Sequence, residues 1–150
     1  FPDSMHSRML AMFFALSSCY SGLINFAGYQ LEDMAMCELG WPIRDYESYG
    51  CACSSIYRLA AVDPIDGCCE RHNVCYDESR SVCGSVSPNF AYYSSKCEGA
   101  PGQLGQATCK DSIRSCAGFV CYCDKSLIDC LKKYPRPQEG RIPKCQLTAA

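Results

Sequence analysis

The chain has 150 residues, enough for one domain, and 15 of them are cysteine. Cysteine at that density marks a disulfide scaffold built in an oxidising compartment, which points to a secreted, extracellular protein. A formal net charge of −2 argues against a nucleic-acid binder and gives no strong pull toward anionic membranes. With only two histidines, and no cysteines set in paired C-x2-C knuckles, a zinc module is excluded as well.

Residues 1–30 are set apart as an N-terminal extension, and residues 31–150 as the domain. Met9-Leu10-Ala11-Met12-Phe13-Phe14-Ala15-Leu16 is apolar but too short to span a bilayer, which takes about 20 apolar residues. Arg8 before it and Ser17-Ser18-Cys19 after it mimic a secretory signal with Met5 as its start. A retained signal and a structural helix are both open readings of this segment.

Residues 30–40 read as a short amphipathic helix closed by Gly40, with Leu31, Met34 and Cys37 on its buried side. Trp41-Pro42 breaks it, and residues 45–64 read as loop. A central helix is predicted from Asp63-Pro64-Ile65-Asp66, with aspartate as cap and proline in the first turn, to about Arg80. Phe90-Ala91-Tyr92-Tyr93-Ser94 is the expected place of a small hairpin. A second long helix is predicted over residues 109–131, and Cys145 should pin an irregular tail. There is no internal repeat.

The densest stretch is Cys68-Cys69-Glu70-Arg71-His72-Asn73-Val74-Cys75-Tyr76-Asp77. On a helix, Cys68, His72 and Cys75 fall on one stripe. Cys123 and Cys130 repeat the spacing of Cys68 and Cys75 on the second helix. Two antiparallel helices bridged 68 to 130 and 75 to 123 are the economical arrangement, although spacing alone does not establish connectivity. Asp124 then lies beside the seam, level with His72. A carboxylate there would fix the imidazole tautomer and leave the other ring nitrogen as a base. The competing reading is a buried His–Asp pair that only stabilises the core.

Tyr49-Gly50-Cys51-Ala52-Cys53, then Asp66-Gly67-Cys68-Cys69-Glu70-Arg71-His72-Asn73-Val74-Cys75-Tyr76, then Cys121-Tyr122-Cys123-Asp124, resemble the secreted phospholipase A2 family. The resemblance covers roughly residues 31–145. It implies a mainly α, disulfide-rich fold with two long antiparallel helices, a short N-terminal helix and a small β-hairpin. It also implies the bridges Cys37–Cys97, Cys51–Cys145, Cys53–Cys69, Cys68–Cys130, Cys75–Cys123, Cys83–Cys116 and Cys109–Cys121, leaving Cys19 unpaired. By similarity His72 is the base that activates water. Asp124 orients it, and Tyr76 and Tyr93 hydrogen-bond that aspartate. The family's calcium would polarise the sn-2 ester carbonyl of a phospholipid.

This chain departs from the family at the calcium positions, which map to Ala52, Ser54, Ile56 and Asn73. Asn73 stands where the family has aspartate, so one neutral oxygen replaces two charged ones. The loop that follows Cys53 reads Ser54-Ser55-Ile56-Tyr57-Arg58-Leu59-Ala60-Ala61-Val62 and lacks the family's glycines, which let backbone carbonyls turn toward the ion. The expectation is a pseudo-enzyme that keeps the His–Asp dyad and needs no cofactor, with calcium returning only if the degenerate loop still binds it. Within the family the chain resembles the otoconins, non-catalytic inner-ear matrix proteins of calcium carbonate crystals. The resemblance rests on the apolar segment before the first helix and on Arg44-Asp45-Tyr46-Glu47-Ser48-Tyr49-Gly50-Cys51. Expected partners are calcium carbonate mineral or matrix proteins, a phospholipid surface, and a second chain through Cys19. No nucleic acid is expected. The alternative is a calcium-dependent phospholipase A2 with residual activity.

Overall fold

In the computed structural model, which describes residues 26–54 and 59–146, three helices and one hairpin are laced together by disulfides. Helix α1 (Phe26–Glu38) starts four residues before the predicted residue 30 and so reaches into the segment assigned to the extension. It ends in the expected way: the Leu39 and Gly40 N–H groups both donate to the Ala35 carbonyl, and Gly40 adopts φ 81°, a left-handed conformation that costs glycine least. The apolar run at residues 9–16 and Cys19 lie outside the described residues, as does Ile56.

After a short 3-10 turn (Ile43–Tyr46), helix α2 runs Pro64–Cys83. Its start follows the sequence. The Asp63 carboxylate accepts the Asp66 N–H at 2.9 Å, and Pro64 fills the first turn, where no N–H is required. Gly84, at φ 63°, closes the helix about one turn later than predicted.

The hairpin is displaced from its predicted place. Pro88–Phe90 forms a 3-10 turn, and the strands are β1 (Ser95–Glu98) and β2 (Gln106–Cys109), antiparallel with Ser95 opposite Cys109. Every residue of β1 is exposed, so the strand carries no alternation of apolar and polar positions. The second long helix is correspondingly shorter than predicted. Cys109 belongs to β2, and α3 spans Cys116–Leu131. Ser115 sets that start, because its Oγ accepts the Gly118 N–H at 3.1 Å.

The described cysteines pair as Cys37–Cys97, Cys51–Cys145, Cys53–Cys69, Cys68–Cys130, Cys75–Cys123, Cys83–Cys116 and Cys109–Cys121, the set implied by the family resemblance. From Cys68 to Cys75 along α2 the bridges step back along α3 from Cys130 to Cys123, so the two helices run antiparallel. Met34, Val120, Ile128 and Leu131 fill the core between α1 and α3. One polar group belongs to that core. Glu38 is fully buried, accepts the Ala107 N–H at 2.9 Å, and meets Lys132 Nζ at 2.7 Å and Lys125 Nζ at 3.3 Å. It ties the end of α1 to both α3 and the hairpin, and a carboxylate at such a depth is tolerated because it is paired on both oxygens.

The tail returns to the start of the α2 loop. Gly50 N–H donates to the Pro143 carbonyl at 2.9 Å, and Cys145 is bridged to Cys51.

Candidate active site

The seam between α2 and α3 sets the site. His72 lies between Cys68 and Cys75 on α2, and both cysteines are bonded across to α3. Its Nε2 meets Asp124 Oδ1 at 2.7 Å. A carboxylate only accepts, so Nε2 carries the proton and Nδ1 keeps the lone pair. Asp124 is fully buried, and its charge is met by two further donors, Tyr76 Oη at 2.8 Å on Oδ1 and Tyr93 Oη at 2.7 Å on Oδ2. The four residues predicted from the sequence are thus brought together in one network. Chemically, the arrangement can hold a neutral imidazole rigidly and take a proton at Nδ1.

Burial, reinforced by the Asp124 charge, pushes the phenols of Tyr76 and Tyr93 far above the usual tyrosine value of 10.0. In the unfolded chain they would ionise near that value. Stability contributed by the protonated phenols is therefore complete below pH 10.0 and is lost as pH rises above it. The loss approaches about 1.4 kcal/mol per pH unit for each phenol. Denaturant unfolding between about pH 9 and about pH 11 should show this decline, and the Tyr76→Phe/Tyr93→Phe double variant should make it shallower, leaving the share of Tyr46 and Tyr49, whose phenols are also raised by burial. An equal slope in both proteins would assign the decline to other groups.

Two further residues shape the site, and the sequence pattern assigns neither of them its contacts. Gln30, on α1, pairs with the backbone of Tyr93: its Oε1 accepts the Tyr93 N–H at 3.1 Å, and its Nε2 donates to the Tyr93 carbonyl. The bond fixes the chain from which the Tyr93 hydroxyl reaches Asp124. Asp66 stands in the predicted helix start and in the family-like motif, with no loop contact assigned to it. It is fully buried, and its carboxylate accepts backbone N–H groups from Cys51 (2.8 Å), Ala52 (2.9 Å), Cys53 (2.9 Å) and Val62 (3.0 Å). Gly50 makes room for it. A Cβ at Gly50 would lie 2.3 Å from Asp66 Oδ2, and the residue's φ is +55°. The aspartate at the start of α2 thus clamps both ends of the loop that carries the calcium positions.

Of those positions, Ala52 and Ser54 are buried, and Asn73 is half-buried beside His72. The Asn73 side chain donates from Nδ2 to the Ala52 carbonyl at 2.9 Å. A carbonyl oxygen only accepts, so the amide nitrogen is the atom that must face it. The carbonyl assigned by resemblance to a cation therefore already accepts from an N–H group of the protein itself. Next to this bond a cleft of about 170 Å3 opens past His72 and Asn73, walled by Leu31, Ile43, Tyr46 and Leu127, with Arg44 and Glu47 also lining it.

The sequence profile described as phospholipase A2 matches residues 28–141. Among curated proteins, the chain is 35% identical over 118 residues to an acidic phospholipase A2 of Micrurus dumerilii, covering 77% of this chain and 96% of that protein. It is 36% identical over 107 residues to basic phospholipase A2 nigroxin A of Micrurus nigrocinctus, covering 71% and 86%. A phospholipase A2 of Bos taurus is 28% identical over 143 residues, covering 91% and 95%.

Proposed function

The chain belongs to the phospholipase A2 family, and we propose that it keeps the family's His–Asp pair while having lost calcium-dependent ester hydrolysis, acting instead as a secreted binding protein. The observation that carries this reading is the Asn73 Nδ2 bond to the Ala52 carbonyl. Calcium takes six to eight oxygen ligands at roughly 2.3–2.6 Å, and carboxylate charge is the main source of its affinity. At this site the carboxylate is absent, and one of the carbonyls assigned to the ion is already engaged by a donor. The residues present do not fit calcium. Without a Lewis acid, the base at His72 Nδ1 faces no polarised ester carbonyl, and the oxyanion formed by attack would lack its main stabiliser. Losing one such stabilising group costs on the order of 10²–10³ in rate.

A secreted setting accords with the seven disulfides among the described residues. Of the expected partners, mineral, matrix protein and lipid, the cleft beside His72 favours lipid, because its walls are largely apolar side chains. The alternative is a calcium-dependent phospholipase A2. Fatty-acid release from phosphatidylcholine vesicles in excess calcium separates the two, measured beside a calorimetric calcium titration. Wild type and His72→Gln should release fatty acid at the same background rate, and the titration should show no binding heat. Calcium-dependent release that disappears in His72→Gln would establish the enzyme.

A further inference from the structure

We propose that the Cys68–Cys130 bridge is a thiol-exchange site, where a low-molecular-weight thiol attacks Cys130 and the Arg71 guanidinium stabilises the thiolates that form. The contact behind it serves neither the His72 network nor the calcium positions. Arg71 Nη2 lies 2.7 Å from Cys130 Sγ and 3.6 Å from Cys68 Sγ, so one guanidinium meets both sulfurs of the bridge.

The helix explains this placement. Arg71 follows Cys68 by three residues on α2, and side chains three apart lie on the same face. The guanidinium is therefore carried over the bond that Cys68 makes to α3. Among the described residues no carboxylate pairs with Arg71, and no other bridge has a cationic side chain hydrogen-bonded to its sulfur. A disulfide sulfur is uncharged and a weak acceptor, so the closed bridge offers the cation little. The thiolates of an opened bridge are charged, and a guanidinium beside a thiol lowers its pKa. Arg71 thus favours the opened bridge over the closed one.

Burial sets the direction of attack. Cys68 is 1% exposed and Cys130 is 9%, so the incoming thiol reaches Cys130. Its thiolate bonds to Cys130 Sγ, the bond between the two protein sulfurs breaks, and the electron pair leaves on Cys68 Sγ. A second thiolate then attacks the added sulfur, and Cys130 leaves as a thiolate. The bridge has gained two electrons, and the two small thiols have lost them as they join in a disulfide. A leaving thiol of lower pKa leaves faster, and both leaving sulfurs lie within reach of Arg71. His72 stands one turn beyond Cys68, while Cys75–Cys123 still joins the helices on its other side. Exchange therefore releases one end of the seam beside His72 without parting α2 from α3.

The probe is glutathione. The folded, oxidised protein is held in reduced and oxidised glutathione at neutral pH, quenched, alkylated and read cysteine by cysteine by peptide mass spectrometry. Wild type should carry glutathione on Cys130 and a free thiol at Cys68 while Cys75–Cys123 stays closed. The Cys37–Cys97 bridge is the internal reference, because Cys97 is exposed and no guanidinium meets it. Arg71→Gln should slow the opening of Cys68–Cys130 about tenfold and leave the opening of Cys37–Cys97 unchanged. Arg71→Lys, which keeps the charge, should restore most of the rate. Arg71 is itself exposed, so neither change threatens the fold. A merely structural arginine predicts the opposite sign, since removing a side chain that covers a bridge lets thiols in faster. Unchanged or faster opening in Arg71→Gln overturns the proposal, and so does equal slowing at Cys37–Cys97. Opening of Cys68–Cys130 only together with Cys75–Cys123 also overturns it, because that marks unfolding of the whole chain. Glutathione found on Cys68 in place of Cys130 overturns the direction of attack.

Discussion

Asp66→Ala should lower the unfolding free energy by roughly 3–6 kcal/mol, a large share of the ~5–15 kcal/mol typical of a domain. The figure follows from what the carboxylate does. It is fully buried and accepts N–H groups from Cys51, Ala52, Cys53 and Val62, so truncation strands four backbone donors at once. Each stranded buried donor costs ~1–3 kcal/mol, and water reaching the exposed Val62 and the vacated space recovers part of the sum. The disulfides Cys53–Cys69 and Cys51–Cys145 keep the loop attached but supply no acceptors. Asp66→Asn should fall between wild type and alanine. Oδ1 serves Ala52 and Cys53 while Oδ2 serves Cys51 and Val62, so an amide keeps one pair and turns a donor toward the other. Guanidinium unfolding of the oxidised proteins, followed by circular dichroism, measures both. An alanine variant within about 1 kcal/mol of wild type would remove Asp66 from its place as clamp of the loop.

Some of this site was legible in the sequence because it rests on spacing. Cys68, His72 and Cys75 recur at helical intervals, Cys123 and Cys130 repeat the interval, and Asp124 adjoins a bridge point. Those constraints place His72 opposite Asp124 with little help from packing. Where side-chain pattern stands in for contact, the reading fails. Tyr93 looked like part of a strand because aromatic residues favour strands. It is instead drawn inward by the hydrogen bond to Asp124, and the strands form later, over Ser95–Glu98 and Gln106–Cys109. Nothing in the sequence around Glu38 marks it as buried. Only the approach of Lys125, Lys132 and the Ala107 N–H makes its burial tolerable, and those groups are distant in sequence. Asp66 and Gln30 belong to the same class, each satisfying backbone groups that no local pattern predicts.

Asn73 lies between these cases. The loss of a carboxylate at that position is plain from the sequence. That its amide bonds the Ala52 carbonyl is not, and this bond is what the proposed loss of calcium binding rests on. The same substitution thus has two effects, and reversing it should separate them. In EDTA, Asn73→Asp should lose about 1–3 kcal/mol, because the Ala52 carbonyl loses its donor and meets a second acceptor carrying a charge. Added calcium should then recover stability in the variant, since an ion bound only to the folded state stabilises it by mass action. Wild type should show no such gain. Thermal unfolding of both proteins in EDTA and in calcium reads the pair of effects directly. Equal stability in EDTA, or an equal calcium response, would sink the account. Hydrolysis should stay near background even in calcium-loaded Asn73→Asp. Restoring one carboxylate leaves Ser54-Ser55-Ile56 where glycines would be needed to turn carbonyls inward, so the ion would be held without being aimed at an ester. Recovery of stability without recovery of chemistry would separate the effect of the Asn73 bond from that of the loop sequence.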